Sequence, residues 1–219
     1  PTPVRPRMKN WRNTRLQKNL HAWFPYTKYF NYPDKNYIAP KFAQKANFSK
    51  TKNVCFYHAI YGLTPFCPEW PYWASQWERV PPPRGTLGDT HNSQWTLAQV
   101  CANSPTYRDF YVWKLKNAVI DLDLNNLYFD LGVPRVCHNE NHHCGWIDMN
   151  GKRRNSYNIL GTRDMAKRIY TMYKAIKPDG VIINHMSEEP TMPVLSFCDI
   201  MVDGELYCLQ VAEDESYHN

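Results

Sequence analysis

The chain has 219 residues, enough for one sizeable hydrophobic core, and one domain is the default reading. Its net charge of +6 is local: Arg5, Arg7, Lys9, Arg12, Arg15 and Lys18 account for six of the 26 basic residues, and the rest balance the 20 acidic ones. No stretch approaches the ~20 apolar residues of a membrane-spanning helix, and no glycine-rich phosphate loop, GxSxG elbow or HExxH helix occurs, which argues against kinase, dinucleotide oxidoreductase, serine hydrolase and zinc protease chemistry.

Residues 1–17 read as an irregular basic arm. With Trp11 inside it, the arm could touch an anionic partner, but so short a segment fits a solvated extension better, and nucleic acid is not the expected partner. A chain starting at Pro1, with neither initiator Met nor secretory signal, is expected to be processed, excised or incompletely known at its start. Asn19 to Phe24 is a candidate strand, and residues 41–50 are polar and weakly helical. Asn53 to Ile60 is a stronger strand candidate, carrying Tyr57 and His58 near its end.

Residues 64–95 form a Pro- and Trp-rich stretch that reads as a long loop, too irregular for a helix or strand interior. Within it, Trp70 and Trp73 offer flat faces that suit sugar rings, or else pin the loop onto its own domain. Trp95 to Cys101 is a short strand candidate ending near Asn103. Ser104-Pro105 then signals a helix, with Ser as N-cap and Pro in the first turn, and Tyr107, Tyr111, Leu115, Ala118 and Leu122 follow at helical spacing.

Asn126 to Asp130 is the next strand, followed by a long polar loop over residues 131–160. Thr162 is expected to cap a second helix, whose apolar stripe runs through Met165, Ile169, Met172, Tyr173 and Ile176. Pro178-Asp179-Gly180 breaks it and feeds a strand ending on Asn184 and His185. The last strand runs from about Ser196 to Val202, with Asp203 and Glu205 just beyond.

Apolar runs separated by helices are the pattern of a parallel sheet buried on both faces. The expected class is α/β, with a (β/α)8 TIM-barrel-like architecture over residues 18–219. Six candidate strands fall two short of closure, and a complete barrel usually takes about 250 residues. The chain is therefore expected to be a fragment, or a domain completed by further segments of the same protein.

Strand-end polar groups in a barrel share one mouth, which makes Asp130, Asp203 and Glu205 the candidate catalytic carboxylates. Two carboxylates across a mouth are the minimum for glycosidic bond hydrolysis, one donating a proton and the other acting as base, nucleophile or cation stabiliser. His185, Asn184, His58, Tyr57, Asn103, Trp70 and Trp73 are the candidate substrate-binding residues. The bland alternative for each imidazole and amide is a group satisfied within its own loop.

The densest polar cluster is Cys137-His138-Asn139-Glu140-Asn141-His142-His143-Cys144. Thiolate and imidazole are zinc ligands, but two Cys seven apart lack the CxxC knuckle of structural zinc sites. A disulfide between Cys137 and Cys144, or a free-thiol loop, ranks ahead of a metal site, and no metal or cofactor is assigned. His142 or His143 could still face the site, since this loop grows from the Asp130 strand. Seven Cys without a CxxC pair leave the compartment open, with a secreted or periplasmic one suiting a disulfide.

Several motifs occur together in order: Val100-Cys101-Ala102-Asn103-Ser104-Pro105, Leu127-Tyr128-Phe129-Asp130, Cys137-His138-Asn139 through His142-His143-Cys144-Gly145-Trp146, Lys167-Arg168-Ile169-Tyr170, Pro178-Asp179-Gly180, and Ser196-Phe197-Cys198-Asp199 to Asp203-Gly204-Glu205. Over roughly residues 18–210 this series resembles the glycoside hydrolase family 123-like catalytic domains. The resemblance implies a barrel acting on carbohydrate, with β-N-acetylgalactosaminidase activity in the family proper. It also implies a substrate-assisted mechanism, in which the sugar's acetamido group attacks with help from an adjacent Asp-Glu pair. Asp130 matches the Asp, while Leu131 stands where the Glu would be. Glu205 takes the acid role by strand-end position, with Asp203 and His185 tuning or binding. The alternative is a non-catalytic carbohydrate-binding or scaffolding domain on a degenerate barrel.

Overall fold

The computed structural model describes residues 18–20, 54–63, 67–80, 98–121, 123–130, 132–186 and 190–202. The basic arm, residues 41–50, Asp203 and Glu205 lie outside them.

The centre is a five-stranded sheet of β1 (Lys18–Leu20), β2 (Val54–Ala59), β5 (Asn126–Asp130), β10 (Val181–His185) and β11 (Ile200–Val202). All its neighbours are parallel, and the spatial order follows the chain order. β10 is buried at every position and β5 at all but Asp130, which is why both read as uninterrupted apolar runs.

Alternation along each strand divides the side chains between two faces. Leu127, Phe129 and Ile182 join the large core cluster built on α2 (Pro105–Asp121) and α3 (Ile159–Ile176), through Tyr107, Tyr111, Leu115, Met165, Ile169 and Tyr173. Tyr128, Val181 and Ile183 pack with Cys55 in a separate cluster on the opposite face. Two helices on one face of a sequentially ordered parallel sheet make a singly wound arrangement. A doubly wound sheet would instead reverse its strand order and carry helices on both faces. Among the described residues β1 and β11 are the edges of an open sheet, and no barrel closes.

The helix starts follow local chemistry. Pro105 opens α2, and the buried hydroxyl of Ser104 accepts from the Tyr107 N–H at 3.4 Å, as the Ser-Pro signal predicts. α3 begins at Ile159, three residues before the expected cap. Thr162 lies inside its first turn, where its hydroxyl donates to the Asn158 carbonyl at 2.9 Å. That hydroxyl also meets the Tyr61 hydroxyl at 2.6 Å, tying α3 to the chain just after β2.

Four other expectations change. Residues 70–77 are not loop: Trp70–Trp77 forms the helix α1, with Pro71 in its first turn, where a missing N–H costs nothing. Trp77 is its buried anchor, and its indole N–H donates to Thr106 at 3.0 Å. Of the candidate strand at 95–101, the described residues form β4 (Ala98–Gln99), which pairs antiparallel with β3 (Gly62–Leu63) outside the main sheet. The candidate at 196–202 shortens, because the N–H groups of Ser196, Phe197 and Cys198 donate back into α4 (Met192–Leu195) and the strand starts only at Ile200. The long loop at 131–160 holds two small ribbons. β6 (Val136–Cys137) pairs with β9 (Ser156–Tyr157), and β7 (Trp146–Ile147) pairs with β8 (Arg153–Arg154).

Candidate functional site

Asp130 and His185 end two neighbouring parallel strands, one residue beyond the Phe129–Asn184 register pair. The Nδ1 of His185 is 2.9 Å from Oδ1 of Asp130. Because a carboxylate only accepts, Nδ1 is the donor in this bond. Both residues continue the row through Tyr128 and Ile183, on the face that carries no helix among the described residues, and the His185 ring lies 6.0 Å from that of Tyr128. In a β/α barrel the helix-free face is the interior and the C-terminal strand ends form the mouth. The imidazole is buried and the carboxylate retains partial exposure, with 18% of its side chain accessible.

Asn184 belongs to the other face. Its Nδ2 donates to the Gly132 carbonyl at 3.2 Å, and a Cβ at Gly132 would overlap its side chain. Asn184 thus fixes the chain leaving β5, and adjacent positions on one strand send Asn184 and His185 to opposite sides of the sheet. Tyr57 and His58 pair in register with Tyr128 and Phe129, while their side chains lie outside the described structure. Trp70 is partly buried against the main core, and Trp73 stacks on Trp77 with centroids 6.0 Å apart. Trp73 keeps an exposed face, 39% of the residue being accessible.

Asn103 and the 137–144 loop come together at a different place. Of the disulfide and the free-thiol loop left open for Cys137 and Cys144, the structure has the free thiols, and they converge with Cys101 and His142. The three sulfurs and one imidazole nitrogen all lie within 4.8 Å of one another, and all four residues are buried. Cys101 Sγ is 3.8 Å from Cys144 Sγ, and Cys137 Sγ is 3.2 Å from His142 Nε2. His143 is exposed and turns the chain at φ 58°, so His142 alone of the pair enters the cluster.

Local structure explains the convergence. Cys101 is placed by its N–H donating to the Trp77 carbonyl at 2.8 Å. The Asn139 side chain caps the 3-10 turn Glu140–His142 through the Asn141 N–H. Its amide also donates to the Ser75 and Glu78 carbonyls, both at 2.9 Å, which docks the loop on the end of α1. Gly145 has φ 81°, and a Cβ there would lie 2.5 Å from the Arg154 carbonyl oxygen, so the turn after Cys144 requires glycine.

The electrostatics of the four groups are interlocked. Hydrogen bonding from Cys101 and Cys144 draws the Cys137 thiol well below its usual range, while bonding to Cys101 and Cys137 pushes Cys144 up. Burial opposes a charge on His142, but bonding to Cys101 and Cys137 outweighs it and raises the imidazole to about 10.

No protein-family model matches the chain, and a comparison with curated proteins finds no match. Among solved structures, the chain is similar to an α-galactosidase from Thermus thermophilus in complex with stachyose. The TM-score is 0.42 at 12% identity, over 68% of this chain and 27% of that one. It is also similar to a maltogenic α-amylase, AmyB, from Thermotoga neapolitana, with a TM-score of 0.42 at 10% identity, over 73% and 30% of the two chains. An α-L-fucosidase isoenzyme 2 from Paenibacillus thiaminolyticus gives 0.44 at 16% identity, over 66% and 22%. The chain spans less than a third of the length of these proteins.

Proposed function

We propose that the chain is a segment of a glycoside hydrolase-like domain whose reaction centres on Asp130. The observation that carries this reading is the Asp130–His185 pair, set at the C-terminal ends of parallel strands on the sheet face that carries no helix among the described residues. The ordered motifs by which the sequence resembles the family 123-like domains support the same assignment.

In this reading the Asp130 carboxylate orients the substrate's acetamido group and stabilises the positive charge that develops as the glycosidic bond breaks. The hydrogen bond from His185 holds one carboxylate oxygen, so the group meets the sugar in a fixed rotamer. Glu205 donates the proton to the leaving oxygen, and Asp203 assists. Asp203 follows directly on Val202, the register partner of His185, and Glu205 comes two residues later; this sequence position supports their roles. The substrate is an N-acetylhexosaminide within a polysaccharide or glycoconjugate.

The test is turnover of a panel of chromogenic N-acetylhexosaminides by the chain and by Asp130→Asn. The expected outcome is hydrolysis by the unaltered chain and a loss of about 10²–10³-fold in the variant, with unchanged circular dichroism. Full activity in Asp130→Asn removes Asp130 from the mechanism. Sugar binding without turnover by the unaltered chain favours the non-catalytic carbohydrate-binding alternative.

A further inference from the structure

We propose that Cys101, Cys137, His142 and Cys144 bind a structural zinc ion. Three sulfurs and one imidazole nitrogen are a donor set that zinc takes in closed tetrahedral sites. With zinc–sulfur bonds of about 2.3 Å, tetrahedral geometry separates two sulfurs by about 3.8 Å. The Cys101 and Cys144 sulfurs are 3.8 Å apart, and no pair of donor atoms in the cluster exceeds 4.8 Å.

The surroundings are those of a ligand set held in advance. The second ring nitrogen of His142, Nδ1, lies 2.9 Å from the Gln76 carbonyl. That carbonyl can only accept, so it selects the tautomer with its hydrogen on Nδ1 and directs the Nε2 lone pair at the sulfurs. Each sulfur also receives an N–H. Asn158 Nδ2 donates to Cys101 at 3.3 Å, the Asn139 backbone to Cys137 at 3.4 Å, and Asn103 Nδ2 to Cys144 at 3.1 Å. Bonds of this kind stabilise sulfur carrying negative charge.

Charge balance points the same way. Three thiolates and a neutral imidazole around Zn2+ leave a net charge of −1. The buried guanidinium of Arg79 lies beside the cluster, with Nη1 3.5 Å from the carbonyl of Val136, next to Cys137. A disulfide cannot satisfy the same four groups, because pairing two of three thiols leaves the third sulfur and the imidazole buried together.

All four donors come from the protein and none is exposed, so the ion has no open position for substrate and its role is architectural. It clamps the insertion between β5 and α3 onto the segment ahead of α2, joining positions as far as 43 residues apart. The assignment is independent of the glycosidase reading, since neither Asp130 nor His185 belongs to the cluster.

The test is metal analysis of the full chain after expression with zinc and desalting, followed by cobalt replacement in the unaltered protein. One zinc per chain is expected, with cobalt giving the intense visible bands of a tetrahedral site and a near-ultraviolet sulfur-to-cobalt charge-transfer band. Cys144→Ser and His142→Ala should each reduce bound zinc at least tenfold under the same desalting. Cys55→Ser, which removes a buried thiol outside the cluster, should keep full stoichiometry. The proposal is overturned if the unaltered chain binds neither zinc nor cobalt in this way, or if Cys144→Ser retains its zinc. Peptide mapping that finds Cys137 and Cys144 joined as a disulfide also overturns it. The cobalt spectrum is read on the unaltered chain, so a variant that fails to fold does not shield the proposal.

Discussion

The Nδ1 of His185 donates to Oδ1 of Asp130 at 2.9 Å, joining the ends of two adjacent parallel strands on the sheet face that carries no helix among the described residues. A hydrogen bond to a charged acceptor contributes about 1.5–3 kcal/mol, which is about 10–100-fold if it acts only in the transition state.

Replacing His185 therefore separates positioning from mere packing. His185→Ala should lower kcat by about 10–100-fold on an N-acetylhexosaminide that the unaltered chain hydrolyses, with KM nearly unchanged. His185→Asn, whose amide N–H reaches close to the Nδ1 position, should recover much of that loss. Steady-state kinetics on the two variants decides the matter. An unchanged kcat in His185→Ala would show that the bond does nothing for the reaction.

Gly161→Ala tests the packing of α3 against the segment before α2. Within a helix alanine is ordinarily more favourable than glycine by about 1 kcal/mol. Here a Cβ would lie 2.2 Å from the Asn103 side-chain oxygen and 2.7 Å from the Ala102 carbonyl oxygen, so the usual gain is reversed. The expected outcome is destabilisation by about 1–3 kcal/mol in urea unfolding. A more stable variant would mean that residues 102 and 103 do not press on the first turn of α3.

Asp148 organises the turn between β7 and β8. Its Oδ1 accepts from the Lys152 N–H at 2.9 Å and the Asn150 N–H at 3.0 Å, and its Oδ2 accepts from Arg154 Nε at 2.7 Å. The Lys152 amide first, and the Arg154 side chain second, hold the carboxyl below its usual range. A carboxyl with a depressed folded value contributes fully above its unfolded value of about 4 and loses that contribution as pH falls through the folded value. The stability advantage of the unaltered chain over Asp148→Asn should therefore shrink steadily as unfolding is measured from about pH 6 down to about pH 3. A difference constant across that range would show that the turn does not depend on a charged carboxylate.

Much of the sheet is legible in the sequence. Leu127, Tyr128 and Phe129, and Val181, Ile182 and Ile183, form continuous apolar runs because their strands are covered on both faces. Ser104 and Pro105 announce α2 through chemistry confined to four residues. The helix at Trp70–Trp77 is hidden because Pro71 suggests irregular chain, although its position in the first turn costs no hydrogen bond. Period-2 alternation already implies that Asn184 and His185 cannot face the same way, and that signal was available for separating them.

The thiol cluster is the clearest divide between the two levels. Cys137, His142 and Cys144 lie in one loop, and by spacing alone they fit a disulfide or free-thiol loop better than a metal site. The missing ligand, Cys101, is supplied 43 residues ahead of Cys144 by a segment with no metal motif of its own. Its approach depends on the Trp77 carbonyl and on Asn139 docking the loop against α1. By itself the sequence determined the buried strands, the start of α2 and the strand-end position of Asp130, because burial on both faces and helix capping are written in neighbouring residues. Only the tertiary structure decided that His185 meets Asp130 while Asn184 turns away, and that three thiols and an imidazole share one site. Those contacts join residues distant in the chain, and hydrophobic periodicity carries no record of which distant groups are brought together.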